Sequence, residues 1–376
     1  MRKIAVVHDW LNGMRGGEKV LESVLQLFPS ADLYCLFHVP ESVSTEIESH
    51  RIYHSFIQYL PGVKSFYRYY LPLFPAAIER FNFKEYDLVI SLSHCVAKGI
   101  ITPPETHHVS YIFTPMRYAW DMAWEYFENE KISGVNRVLT SLFLNYLRMW
   151  DITSMQRIDT PVSISGFVAK RLKKYTGIDS AVIYPPVDTD YFAISRKDNG
   201  YYLIVSAFAP YKMIEHAMEA VSRLGKNLII VGSGQMEKNL KRMASKNIEF
   251  TGWIPRERVL ELMQGCTAFL LPGQEDFGIA ALEAQSCGKP VIALGKGGAL
   301  ETIIPLESPY SPTGVFFYAP YPDSLAEGIR TFEKNRDKFD PSKIREHALR
   351  FSSKRFLTEF KNCLNKVLKD PLLLYA

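Results

Sequence analysis

Short apolar segments with strand character alternate with amphipathic helical segments along this chain, and the series runs twice. That alternation restricts the fold to parallel sheets with helices on both faces. In the first series Ile4–Val7, Asp87–Ser91, His108–Ile112 and Asp159–Ile164 read as strands. Gly17–Leu27, Val138–Ser154 and Gly166–Tyr175 read as helices. Ala181–Asp188 follows, and its consecutive prolines Pro185 and Pro186 make a stiff turn suited to a domain boundary. The pattern restarts with strand Tyr201–Val205, helix Ile214–Leu224, strand Asn227–Val231 and helix Met236–Lys246. Strand Ile248–Thr251, helix Glu257–Gln264 and strand Ala268–Leu271 continue it. The expectation is an α/β chain of two Rossmann-like, doubly wound domains facing a cleft, the first over residues 1–188 and the second over 189–351. A length of 376 residues is enough for two such domains.

The totals exclude several functions. Apolar residues at 47% and charged residues at 22% fit a globular chain. A net charge of +4 is too weak to argue nucleic-acid binding, but suits a small anionic ligand or an anionic membrane surface. The five cysteines are far apart and odd in number, which reads as free thiols in a reducing compartment. The opening MRKIAVVHD holds only a four-residue apolar run, a first strand rather than a signal peptide. No stretch of about 18 uninterrupted apolar residues suggests a membrane span. The expected location is the cytoplasm.

Gln274 to Ala293, QEDFGIAALEAQSCGKPVIA, carries the most chemistry. It reads as a loop, a short helix over residues 280–285 that Gly288 ends, and a buried strand. Gly278 lets a ligand approach the backbone, and Ile279 opens a helical turn whose N–H groups are unpaired. Those donors and the helix dipole make an anion site. Glu275 and Glu283 flank it. Two carboxylates beside a phosphate site make sense when the ligand also carries vicinal hydroxyls, as a nucleotide sugar does. Lys212, in the loop after Tyr201–Val205, suits the charge of a diphosphate leaving group. Gly16-Gly17, between the first strand and first helix, leaves room for a ligand at a strand's carboxyl end.

Other signals are weaker. Gly232-Ser233-Gly234 invites a dinucleotide reading, but Glu237 stands where G-x-G-x-x-G needs its third glycine. Asp188-Thr189-Asp190 imitates a metal-binding D-x-D, yet it follows Pro185-Pro186 and reads as a hinge. No metal is expected. Tyr59 to Phe81 mixes aromatics and prolines with Lys64, Arg68 and Arg80, and reads as an irregular helical packing region or as an interfacial patch.

Taken together, the E-x7-E of Glu275 and Glu283 with its surroundings resembles the retaining GT-B glycosyltransferases of family 4. His8-Asp9-Trp10 with Gly16-Gly17-Glu18, Tyr111 to Asp121, Tyr184 to Asp188, Pro210-Tyr211-Lys212 and Gly297 to Glu301 fall in the family's order and cover nearly the whole chain. The nearest resemblance is to bacterial mannosyltransferases of polysaccharide and O-antigen assembly. The resemblance implies that Glu275 contacts the donor sugar near its anomeric carbon and that Glu283 grips the ribose hydroxyls. Gly278, Ile279, Gly16 and Gly17 would face the phosphates. Lys212 matches the basic position of the family's R-x-x-x-x-K, whereas Ala207 replaces the arginine. Relatives carry a histidine close to the sugar where this chain has Phe113, so either sugar contact passes to a neighbour such as His94 or Thr114, or activity is impaired. Arg117 and Asp121 are candidates for the acceptor side. The implied reaction moves a hexose, mannose from GDP-mannose first, to a glycan or lipid-linked acceptor in cell-surface polysaccharide synthesis. No cofactor or nucleic acid is involved, and contact with the inner membrane is peripheral. The last helix, about 352–376, is expected to cross back to the first domain. Rival expectations are a UDP-sugar-dependent transferase, a sugar-nucleotide epimerase, a non-catalytic sugar-nucleotide-binding protein and a nicotinamide dehydrogenase.

Overall fold

Every described strand pairs with its neighbours in the parallel sense, in two separate sheets. The computed structural model describes residues 3–120 and 135–368. The chain divides into one unit of residues 1–186 with 356–376, and a second of residues 187–355.

Among the described residues the first unit holds seven strands: β1 Ile4–His8, β2 Asp32–Cys35, β3 Ile52–His54, β4 Leu88–Ser93, β5 His107–Ile112, β6 Thr160–Ser163 and β7 Ala181–Val182. They lie in the order β3-β2-β1-β4-β5-β6-β7. Val6 faces Leu33 on one side and Ile90 on the other. Every residue of β1 and β4 is buried, as expected of central parallel strands covered on both faces. Short helical turns over Phe56–Tyr59, Val63–Phe66, Tyr67–Leu73 and Phe74–Ile78 cover part of one face. They bury Val63, Tyr67, Leu71 and Phe74 against Trp10, and leave Tyr59, Phe66 and Tyr69 exposed. The aromatic and proline-rich stretch is therefore a packed irregular region with an exposed aromatic side.

The second unit holds six strands: β8 Tyr201–Val205, β9 Asn227–Val231, β10 Ile248–Gly252, β11 Ala268–Leu271, β12 Val291–Leu294 and β13 Gly314–Phe317. Their order is β10-β9-β8-β11-β12-β13. Both sheets thus have the doubly wound, Rossmann-like arrangement. In each, the winding reverses once, between β1 and β4 and between β8 and β11. Ligands of such sheets bind outside the carboxyl ends of the strands at that reversal.

The helix expected over Met236–Lys246 runs only from Glu237 to Met243. Its end is set by polar side chains that compete with helical bonding. Ser245 Oγ donates to Asn247 Oδ1, and the Asn247 amide donates to the Lys226 carbonyl. The final described helix, Ser353–Leu368, lies mostly in the first unit, where Phe356 and Phe360 meet the ring of Tyr111 edge-on at 5.7 and 6.0 Å. The two chain crossings are joined to each other. Val187 N–H donates to Phe351 O, and Ser353 N–H donates to Val187 O, both at 3.0 Å. Among the described residues no helix is long and apolar enough to cross a membrane.

Candidate active site

The reversal point of the second sheet brings together two side chains that the sequence places far apart. Lys212 ends the turn Pro210–Lys212 after β8, and Glu275 sits in the loop after β11. Their side chains form an ion pair, and they are 14% and 15% exposed. Several backbone features fix this pair. Met213, next to the lysine, is held in the left-handed region at φ 51°, a conformation that costs a non-glycine residue of order 1 kcal/mol. A Cβ on Gly273 would collide with the Tyr211 carbonyl, so only glycine lets the Glu275 loop pass beneath the Lys212 turn. On the other side, Glu275 O accepts from Gly298 N–H at 2.8 Å. A Cβ on Gly297 would collide with the same oxygen. Gly297-Gly298 thus serves to seat Glu275.

Gly278 caps the helix Ile279–Ser286 at φ 97° and ψ 53°. A Cβ there would find only ordinary contacts, the nearest at 3.6 Å to Leu271, so glycine is required by the backbone angle. Gly278 O accepts from Ala281 and Leu282 N–H. The Ile279 and Ala280 N–H groups, in the first turn, have no described acceptor. Glu283 lies one turn further on and is only 5% exposed. Gly288, at φ 77°, ends the segment with its N–H on Gln285 O at 2.8 Å. One cation, two carboxylates and open helix-start donors therefore sit on one edge of one sheet.

Two rival motifs have other employment. Gly232 and Gly234 pass beneath the loop Ser206–Phe208, whose backbone any Cβ there would strike, and Phe208 N–H donates to Ser233 O at 2.9 Å. Asp188 pairs with Arg256 at 2.6 Å, and that guanidinium lies 4.0 Å from the Tyr191 ring centre. Among the described residues no cluster of three potential metal ligands occurs.

The reversal point of the first sheet carries a separate polar cluster. Asp9, wholly buried after β1, accepts backbone N–H groups of His94, Cys95, Val96 and Ala97 at 2.7, 2.9, 2.6 and 2.7 Å. His94 Nδ1 lies 3.1 Å from Asp9 Oδ2. Burial alone would push the Asp9 carboxyl up, but His94, His8 and the backbone donors outweigh it and hold it below the usual range. Glu18, buried in the first turn of the helix Gly16–Leu25, lies 3.5 Å from His8 Nε2 and accepts from Arg15 N–H at 3.0 Å. Burial opposes its charge too, and the His8 contact more than offsets this, so it also titrates low. The turn after Asp9's four donors is anchored from below. Lys98 Nζ lies 2.7 Å from Asp151 in a buried pair, and Trp120 Nε1 donates to the same carboxylate at 2.8 Å.

Of the other expected residues, Gly16 and Gly17 open the first helix, and a Cβ on Gly17 would lie 3.5 Å from His8 and 3.6 Å from Phe113. Thr114 is buried and accepts from Arg171 at 3.3 Å, a structural tie. Arg117 is half-buried near His94. Asp121 lies outside the described residues. Sequence reasoning gave no role to His8, Asp9 or Glu18. Their signal was a His-Asp pair closing an apolar strand just ahead of a buried glutamate in a helix's first turn.

Residues 189–350 match the family model for glycosyl transferases group 1. An uncharacterized glycosyltransferase of Methanocaldococcus jannaschii is 28% identical over 151 residues, 39% of this chain and 43% of the relative. A Corynebacterium glutamicum GDP-mannose-dependent monoacylated α-(1-6)-phosphatidylinositol monomannoside mannosyltransferase is 38% identical over 95 residues, 22% of this chain and 25% of the relative. The chain thus spans less than half the length of these curated relatives. Among solved structures, Anabaena HepE in complex with UDP superposes with a TM-score of 0.70 at 16% identity, covering 97% of this chain and all of that one.

Proposed function

We propose that this chain, a GT-B glycosyltransferase by its fold and by the family match over its second unit, moves a hexose from a nucleotide diphosphate sugar to a glycan or lipid-linked acceptor with retention at the anomeric carbon. The observation that carries the reading is the Lys212–Glu275 pair beside the Gly278 helix start, at the reversal point of the second sheet. The diphosphate lies against the Ile279 and Ala280 N–H groups and Lys212, which stabilise the charge that develops as the sugar–phosphate bond breaks. Glu275 accepts hydroxyls of the transferred sugar, and Glu283 accepts the ribose hydroxyls. The acceptor oxygen bonds to the anomeric carbon on the face that the diphosphate leaves, and a phosphate oxygen takes the acceptor's proton. No metal is required by this scheme. With Ala207 in place of a second cation, Lys212 and the helix start carry most of the leaving group's charge.

GDP-mannose is the first choice of donor, since the Corynebacterium relative is GDP-mannose-dependent. UDP, seen with the Anabaena neighbour, is the second. Exposed Tyr59, Phe66 and Tyr69 beside Lys64 and Arg68 suit peripheral contact with an anionic membrane holding a lipid-linked acceptor. A thermal-shift screen of GDP, UDP and ADP sugars tests the donor, because a ligand of the native state raises its melting point. Lys212→Ala and Glu275→Ala should each lower transfer by about 10²-fold or more while the protein stays folded. Full transfer activity in both variants rules the assignment out, and nucleotide binding without any transfer identifies a binding protein instead.

A further inference from the structure

The longest described helix, Val135–Met155, turns an apolar stripe outward. Val138, Leu139, Leu142, Tyr146, Met149 and Ile152 recur three and four residues apart, which sets them on one side of the helix, and all six are exposed. Neither the donor chemistry nor the core of the first unit uses them. We infer that this stripe is the surface through which two copies of the chain associate about a twofold axis.

The opposite side of the helix is locked, so the stripe cannot roll inward. Leu147 and Trp150 pack in the core of the first unit with Phe74, Ala77 and Ile78. Trp150 Nε1 donates to Glu79 at 2.8 Å, and Asp151 pairs with Lys98 in the interior. Half-buried Arg148 donates from Nε to the Ala119 carbonyl at 2.7 Å. Both charged side chains between Val138 and Met155 are therefore engaged with the fold. From Val138 to Gln156 no exposed residue is charged, whereas a solvated helix face is ordinarily polar and charged.

Composition and size choose the partner. Depletion of charge, with Tyr and Met among the apolar residues, is the make-up of a protein interface core. Lipid fits less well, because helices that lie on an anionic membrane carry lysine and arginine beside the apolar side. The patch of Tyr59, Phe66 and Tyr69 has such cations in Lys64 and Arg68, and the exposed residues of this stripe have none. Leu142 and Met149 keep 62 and 63% of their surface open. At such exposures the six side chains bare on the order of 600 Å², the upper end for one patch on a monomer. Ser141, Asn145 and Thr153, exposed along the same side, bring this toward the roughly 800 Å² that a standard interface takes from each partner. A twofold contact also requires a surface that matches itself. A neutral stripe about 27 Å long meets its own copy with no like charges opposed.

Sedimentation equilibrium of the full chain over micromolar concentrations tests this. Wild type should have twice the mass of one chain. Leu142→Glu and Met149→Glu place a good helix former at exposed positions, so both should keep the wild-type circular dichroism. Each should weaken association about 100-fold or more, since a twofold contact counts every substitution twice. A wild type of single-chain mass throughout overturns the inference, and its flotation with phosphatidylglycerol vesicles would then assign the stripe to lipid. Dimers that form equally well in folded Leu142→Glu and Met149→Glu overturn it too, because the contact then lies elsewhere. If those two variants do not fold, Asn145→Cys decides, as it leaves the apolar residues in place. Position 145 lies near the middle of the stripe and should meet its own copy across the axis, so mild oxidation should give a disulfide-linked dimer. Of the native cysteines only Cys363 is not buried, so the linked fraction is read against that of wild type. No added link sinks the inference. None of these readouts depends on transfer activity, so the result stands whether or not the transfer reading does.

Discussion

Glycine does different work at neighbouring positions of the second unit, and this separates two predictions. Gly278 needs its left-handed angle but has room around it, so Gly278→Ala should cost about 1–2 kcal/mol of stability through backbone strain alone. Gly297 is in the opposite case, because its Cβ would strike the Glu275 carbonyl. Gly297→Ala should therefore displace Glu275 and lower transfer about ten-fold or more, beyond what its change in melting temperature explains. Paired kinetic and calorimetric measurements check both. A Gly297→Ala enzyme of full activity would contradict the seating role. At this scale the sequence was informative where a residue type had one physical use. Gly278 before a helix start and Gly288 after its end were legible for that reason. Asp9 was not, since nothing local shows that its carboxylate will be capped by residues 94–97. Ala207 and Phe113 were visible as substitutions, while the packing of Gly232 against Ser206 needed coordinates.

Elements were legible in proportion to their length and burial. Strands Tyr201–Val205, Asn227–Val231 and Ala268–Leu271 have the limits that their apolar runs suggest. Strands β2, β3 and β13 were not read from the sequence. Helix ends depended on side chains bonding across loops, as Asn247 does, which local propensity does not encode. The last described helix makes a firm prediction. Phe356 is fully buried against Tyr111, so Phe356→Ala should destabilise the first unit by about 3–5 kcal/mol. Denaturant unfolding followed by near-ultraviolet signals checks this, and a loss under about 1 kcal/mol would show that the site collapses or was never packed.

For the whole molecule, acid is the expected weakness. Burial pushes the His108 imidazole down to about 4, with Ser91 Oγ 2.8 Å from its Nε2, and burial lowers His94 and His347 as well. An unfolded chain takes up these protons first, at the ordinary histidine value of 6.5. The stability tied to the neutral rings is thus complete above about pH 6.5 and drains away as pH falls toward 4, roughly 3 kcal/mol for His108 alone. Asp9 and Glu18, held low in the fold, add a second loss at lower pH as they take up protons. Melting temperatures measured from pH 7.5 to 4.5 should fall steadily, and His108→Gln should flatten the slope. A flat profile in the wild type would contradict this.

The division of the chain, with residues 187–355 set between the two parts of the first unit, also has a consequence for biosynthesis. A ribosome that has delivered β1 to β7 has made a sheet whose Tyr111 still waits for Phe356 and Phe360. The nascent second unit emerges and is able to close first, so the half made earliest is the last to be sealed.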